Sequence, residues 1–460
     1  MRAVFRPPLL RSTIGIGAVV TAAAFETIAV STAMPAAVKA VNGLGAYAWA
    51  FNGVVVATMI ATVVGGDFSD RHGPRIPLLG GLLVFVGGLV VAATASTMLV
   101  FVVGRVLQGL GGGTAIVAVY VLVARGYDES LRAQVFSAMA GAWVLPSLVG
   151  PAIAGALAQW WSWRVVFLSV IPIVVVAMWM VLPLLRRVEV ETPSSGEIPE
   201  RTGRTRWAAT LAAGAVLVQD GGHRRGAVGA IEALVGLVMI ALALRELLPT
   251  GSLRLARGLP SAMATRGLLA GGFFGAQAFV PLMLVDQRGL SLTLAGLSLT
   301  TSTLGWFAGS WWQGRPSHQQ AREKIIVVGA VAAMAGMLLM VLVVVLPLPA
   351  LLAAVAWAIG GTGMGATVPA VNVWVLGHSA VDEQGANSAA LQLSDSSGVL
   401  VATAIAGSVY AASSQVSGQQ AVTFIALFLA MCGVGVIALF ASARLHELGA
   451  NDVQVRSVRT

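Results

Sequence analysis

Charged side chains are scarce in this chain, making up 10% of its 460 residues, whereas an ordinary soluble domain carries roughly a quarter. That shortage excludes a water-exposed globule, which would need a charged shell around its core. Lysine is rarer still, only two of the 28 basic residues. Cysteine occurs once, as Cys432 inside an apolar run, which rules out a disulfide framework or a cysteine-based metal site and leaves a small packing residue. No H-E-x-x-H, G-x-S-x-G or phosphate-loop pattern occurs, so an intramembrane enzyme would lack its nucleophile, metal ligands or phosphate cradle. Neither a catalytic residue nor a metal or cofactor is expected.

Apolar residues take the vacated share, 57% of the chain, and they come in charge-free runs of bilayer-spanning length, about 20 residues. Cutting at charged and Gly/Pro/Ser/Asn-rich breaks leaves segments at 13–38, 45–66, 76–96, 98–124, 134–158, 164–185, 207–220, 227–248, 260–285, 291–313, 325–347, 349–377, 387–411 and 419–443. These are 14 candidate spans of an all-α integral membrane protein, the seventh being the shortest. Arg2, Arg6 and Arg11 before the first run imitate a signal peptide, but the run continues to residue 38, too long for a cleaved leader's core, and reads as a first spanning helix.

The net charge of +9 could suit a nucleic acid or an anionic membrane surface. The basic residues sit singly or in small groups between apolar runs, a pattern of topology-setting loops with no phosphate-tracking stripe, so no nucleic-acid partner is expected. With both termini in the cytoplasm, inside loops and flanks collect 22 of the 28 basic residues. The outside ones collect five (Lys39, Arg164, Arg224, Arg225, Arg288), and only Arg105 is left within a span. The expected location is the inner (plasma) membrane, as a multi-pass protein in contact with its lipids.

An internal repeat divides the chain. GLGGGTAIVAVYVL (Gly109 to Leu122) in the fourth span and GTGMGATVPAVNVW (Gly361 to Trp374) in the twelfth are offset by 252 residues, and IAG at Ile153 to Gly155 recurs at Ile405 to Gly407 with the same offset. The expected domains are 1–187, six helices; 188–258, a polar cytoplasmic linker plus two extra helices; 259–445, six helices; and 446–460, a cytoplasmic tail. Parallel six-helix repeats are a transporter architecture with the solute site between halves near mid-membrane.

Four stretches of the first half carry candidate chemistry. GGDFSDRHGPR (Gly65 to Arg75) crowds two acids, two arginines, a histidine and three glycines into the turn after the second span. Gly66 and Gly73 permit close approach and positive φ, and Asp70 can accept from a helix N-terminus or pair with an arginine. A loop that only retains topology is the plainer reading. GRVLQGLGGG (Gly104 to Gly113) places Arg105 in the fourth span. An intramembrane arginine costs about 2.5 to 3.5 kcal/mol and should find a cavity and a partner, or bond neighbouring carbonyls.

GAWVLPSLVGPAIAG (Gly141 to Gly155) puts Pro151 between Gly150 and Gly155, which suits a bend and a close helix crossing. FETIAVSTAMP (Phe25 to Pro35) puts Glu26 midway between Arg11 and Lys39, near mid-membrane. Burial without a partner favours a carboxylate's neutral form, making Glu26 a candidate reversible proton carrier; a helix-packing hydrogen bond is the alternative. Glu232, seven residues from Arg225, reads as interfacial and structural, whereas Asp395 in LQLSDSSG (Leu391 to Gly398) should face a cavity.

The second half departs from the first. GSWWQGRP (Gly309 to Pro316) has Gln313 in place of the acid, and Trp357 aligns with Arg105. Titratable groups therefore concentrate in the first half. Gln277, Asn372, Trp374, Gln392 and Asp395, with Gln108, Trp143 and Glu26 of the first half, are candidate cavity residues, a few polar groups among aromatic walls being suited to amphiphiles.

These motifs resemble those of the major facilitator superfamily. Gly66, Asp70, Arg71, Gly73 and Arg75 match its loop signature G-x-x-x-D-R-x-G-R-[RK], with Pro74 where the family has its first basic residue. Arg105 and Gln108 match R-x-x-Q-G, and Gly141 to Gly155 matches the exporter-associated G-x(8)-G-P-x(3)-G. Glu26, Thr27, Ala33 and Pro35 resemble the D-x-T-[IV]-[VI]-N-x-A-x-P pattern of 14-helix drug:proton antiporters, with Thr27 one position ahead of the pattern's Thr and Val30 or Ser31 near the usual Asn. The resemblance implies a major facilitator fold of two six-helix bundles plus two linker helices.

It further implies proton coupling through Glu26, Arg105 and Asp395, with the proton gradient as energy source, and a conformational gate at Gly66, Asp70, Arg71, Gly73, Arg75, Gly150, Pro151 and Gly155. The implied activity is export of lipophilic, often cationic, amphiphiles by a monomer. Export of lipids or a hydrophobic metabolite, as in similar actinobacterial-type chains, is the alternative.

Overall fold

The computed structural model describes residues 9–188, 202–224, 226–314, 322–346, 349–379, 384–413 and 420–447. The helices are α1 (Leu10–Ala40), α2 (Trp49–His72), α3 (Arg75–Thr94), α4 (Met98–Gly126), α5 (Glu129–Ala142), α6 (Val144–Trp160), α7 (Trp163–Leu168), α8 (Val170–Arg187), α9 (Thr202–His223), α10 (Ala227–Leu247), α11 (Leu259–Gln277), α12 (Val280–Arg288), α13 (Leu292–Gln313), α14 (Arg322–Val345), α15 (Leu351–Gly377), α16 (Gln384–Ser413) and α17 (Gln420–Ala443). Every apolar segment expected from the sequence falls on one of these helices or on a closely spaced pair. Helix is the outcome because a chain in hydrocarbon must satisfy each backbone polar group within its own segment.

Among the described residues nine helical stretches are long and apolar enough to cross a membrane, or ten if the bent α1 counts as one span. The segments that fall short are α5 with α6, α9, α13 and α16. Ser and Thr in α13 and LQLSDSSG in α16 lower the apolar content, while α6 is apolar but short. The outer surfaces carry bare Leu99, Trp160, Trp161, Phe307 and Leu351, an arrangement that water would penalise and lipid accepts.

Two compact units partition the chain, Met1–Arg206 with Pro281–Thr300, and Trp207–Val280 with Thr301–Thr460. In unit 1 the stretch 281–300 packs onto α6: a Cβ on Gly155 would meet the Leu292 carbonyl oxygen at 2.7 Å, and one on Gly296 would meet the Pro151 carbonyl oxygen at 2.4 Å. In unit 2 α9 leans on α16, where the Ser408 hydroxyl donates to the Val218 carbonyl at 2.7 Å.

Candidate functional site

In unit 1 the glycines of GRVLQGLGGG act as contact points. A Cβ on Gly104 would lie 2.5 Å from the Ala92 amide nitrogen of α3, and one on Gly109 would lie 2.4 Å from the Val54 carbonyl oxygen of α2. No side chain fits there, so α2 and α3 close directly on α4 and seal Arg105 and Gln108 among them.

Arg105, 4% exposed, ion-pairs with Glu26 of α1, itself 3% exposed. Its Nε–H donates to the Ala50 carbonyl at 2.7 Å, and its guanidinium also donates to Gln108 Oε1. The Gln108 amide in turn donates to the Gly88 carbonyl at 3.1 Å. The carboxylate raised as a lone proton carrier therefore has a partner, and the arginine both pairs with an acid and bonds a carbonyl. A buried ion pair offsets its desolvation only when further hydrogen bonds satisfy the remaining donors, and here Ala50 and Gln108 supply them. Proton binding at Glu26 would remove one charge of this compensated pair.

Unit 2 assembles a second charged pair. Arg266 of α11 donates from Nε to Asp395 Oδ1 of α16 at 2.7 Å, and its Nη1 reaches the Val368 carbonyl at 3.4 Å and Asn372 Oδ1 at 3.5 Å. The two helices meet at glycine, since a Cβ on Gly271 would lie 2.6 Å from the Gly398 carbonyl oxygen. The tally of basic residues placed only Arg105 within a span; Arg266 lies inside α11 as well. In the sequence Arg266 reads as a flank because it stands close to the start of its segment, and a lone arginine seven residues into an apolar run is the signal that marks it.

Apart from Asn372, which Arg266 reaches, the other expected cavity residues are dispersed. Gln277 accepts from the Trp357 indole at 3.3 Å, and Trp357 stacks on Phe273 with centroids 4.9 Å apart. Trp374 is buried, donates to Glu323 Oε1 at 3.2 Å and stacks on His378. Asn372 and Gln392 are exposed on α15 and α16, and Trp143 is exposed where α5 gives way to α6.

Of the expected gate, Gly73 follows α2 with φ 77°, the left-handed region that glycine tolerates, and Arg75 is exposed at the start of α3. Gly66, Asp70 and Arg71 fall on α2, but their side chains lie outside the described residues. Gly150, Pro151 and Gly155 are buried in α6 at its crossing with the 281–300 stretch. Beside that crossing, Gln159 Oε1 accepts from the Thr293 hydroxyl at 2.8 Å, and Lys39 ion-pairs with Asp286. Sequence reasoning did not raise Asp286; 247 residues separate it from its partner and no motif marks it. Glu232, read as structural, binds Arg224 at 3.0 Å.

Comparisons with known proteins agree with this architecture. A model of the Major Facilitator Superfamily matches residues 14–403. The methylenomycin A resistance protein of Bacillus subtilis is 25% identical over 372 residues, 79% of each chain. The Acurin A biosynthesis cluster MFS-type transporter of Aspergillus aculeatus is 29% identical over 173 residues, 38% of this chain and 31% of that one. Such fungal relatives are matched over about a third of their length or less. Among solved structures, the POT family transporter PepTSo is similar with a TM-score of 0.67 at 12% identity, covering 94% of this chain and 97% of that one, a likeness of fold.

Proposed function

The chain belongs to the major facilitator superfamily, and from that premise we propose a proton-coupled exporter of lipophilic or cationic amphiphiles that works by alternating access. The observation that carries the proposal is the buried Glu26–Arg105–Gln108 cluster. A charge pair this deep in an apolar helix bundle is expensive to keep, and a titratable carboxylate whose counter-ion sits on another helix can tie proton binding to helix rearrangement.

In the proposed cycle a cationic solute competes with Arg105 for the deprotonated Glu26. Re-protonation then neutralises the carboxylate, releases the solute and resets the empty carrier. One proton descending about 150 mV yields about 3.5 kcal/mol, enough for roughly a 300-fold solute gradient. Arg266–Asp395 supplies a second charged position for solute or proton in the other unit. The B. subtilis relative, named for methylenomycin A resistance, supports export over uptake.

The accompanying topology has 14 spans with both termini cytoplasmic in the inner membrane, in two six-helix domains, 1–187 and 259–445, joined by 188–258. The test is flux in proteoliposomes with an imposed pH gradient: uphill, gradient-dependent accumulation of a lipophilic cation supports the reading, and accumulation indifferent to the gradient refutes it.

A further inference from the structure

The geometry points to a lipid site on unit 1, formed by α1, α5 and α8, that holds one alkyl chain of an anionic, hydroxylated phospholipid with Arg11 at its mouth. It rests on the membrane-embedded reading of the fold and is independent of which solute is carried.

The site is a largely apolar cavity of about 520 Å³ lined by Ile14, Gly17 and Thr21 of α1, Gln134 and Gly141 of α5, and Ile173 of α8, among others. That volume falls in the range of ligand pockets, roughly 300 to 1,000 Å³. Small residues on membrane helices usually bring backbones into contact, as Gly104 and Gly109 do elsewhere in this unit. Here they do the opposite: a Cβ on Gly17 or Gly141 would meet nothing within 4 Å. α1 and α5 touch where the Thr21 hydroxyl donates to the Ala142 carbonyl at 3.3 Å, and the slot opens beside that contact. A slot lined mostly by apolar groups between membrane helices matches an alkyl chain, the apolar group a bilayer presents to it.

Polar atoms at the N-terminal end of the slot specify the rest of the molecule. Arg11 precedes Ile14 by one helical turn on the same face of α1. Its guanidinium lies 3.9 Å over the Trp179 ring of α8 and donates from Nη2 to the Trp179 carbonyl at 2.9 Å. Its Nε–H is buried without an acceptor, and Gln134 Oε1 is buried without a donor. A cation at the helix end above an apolar slot complements a phosphate, as basic pockets between membrane helices do. The phosphate would supply the acceptor that Arg11 lacks, and a headgroup hydroxyl the donor that Gln134 lacks.

The test titrates the full chain in detergent with phosphatidylglycerol and with phosphatidylcholine of identical acyl chains, reading retained lipid by native mass spectrometry and the thermal midpoint in parallel. Phosphatidylglycerol should bind at about tenfold lower concentration and should raise the midpoint, because phosphatidylcholine carries the same phosphate but sets a quaternary ammonium beside Arg11 and brings no headgroup hydroxyl to Gln134. Arg11→Gln should narrow the preference, leaving the part that the Gln134 hydroxyl bond supplies. Gly17→Leu and Gly141→Leu, at positions where a Cβ meets nothing within 4 Å, should lose retained lipid while the lipid-free midpoint holds.

Equal response to both lipids, or an unchanged preference in Arg11→Gln, overturns the site, as does lipid retention that survives both leucine variants. Uphill transport by a wild type that shows no lipid preference would remove this site and leave the exporter reading standing. Lipid preference without transport would do the reverse.

Discussion

Trp357 stands 252 residues after Arg105, and its indole donates to Gln277 as the Arg105 guanidinium does to Glu26. Each bond runs from the repeat-equivalent position of one half to the first helix of that half, with an ion pair in unit 1 and a neutral pair in unit 2. The two halves thus keep one contact and differ in its charge. Trp357→Phe should therefore spare gradient-driven transport and lower stability by about 1 to 3 kcal/mol, from the lost hydrogen bond and the space left by the smaller ring. Thermal midpoints alongside flux will check it, and loss of pH dependence in this variant would show that unit 2 takes part in coupling at this position.

Arg105→Ala should be inactive, and Arg105→Lys severely impaired. The guanidinium serves Ala50, Glu26 and Gln108 at once, a planar fork that a single ammonium cannot reproduce. Flux at equal reconstituted protein tests this; full activity with lysine would reduce Arg105 to a counter-charge.

In unit 2, Asp395→Asn leaves the Arg266 charge buried without its counter-ion. It should destabilise the chain by several kcal/mol, on the order of 3 to 5 for a fully buried pair and less here because Asp395 is 25% exposed. Arg266→Leu combined with Asp395→Leu should recover most of that stability. A double variant as unstable as the single one would mean that the pair is not the coupled unit its 2.7 Å contact indicates.

Gly73→Leu forces a side chain into φ 77°, a strain of about 1 to 2 kcal/mol, at the joint between α2 and α3. The joint is remote in sequence from Glu26 and Arg105, so the strain should shift conformational populations and stop transport while solute affinity stays within a few-fold of wild type. Paired binding and flux measurements decide, and intact flux would remove Gly73 from the gate.

Much of the unit 1 site was legible because its signals are local. A carboxylate and an arginine in apolar runs are conspicuous, and Gln108 follows Arg105 by three residues, on the same helix face. What could not be read was pairing across the chain. In the sequence Glu26 stands as an isolated acid because nothing there states which helix faces it, and 79 residues separate it from Arg105.

Arg266 was hidden by its nearness to the end of a segment, where an arginine passes for a topology signal, and Lys39–Asp286 by the lack of any motif. The helices were legible down to α13 and α16, whose Ser and Thr residues dilute the apolar pattern.

The most direct test of the central claim compares wild type with Glu26→Gln in proteoliposomes carrying an imposed pH gradient. Gln holds the neutral state and withdraws the counter-ion of Arg105, so binding and a thermal midpoint are recorded first to confirm a folded carrier. The account predicts that the variant loses uphill, pH-dependent accumulation and binds cationic solutes more weakly, while downhill exchange of a neutral solute persists. Accumulation against the gradient by Glu26→Gln would contradict it and move the coupling role to Asp395.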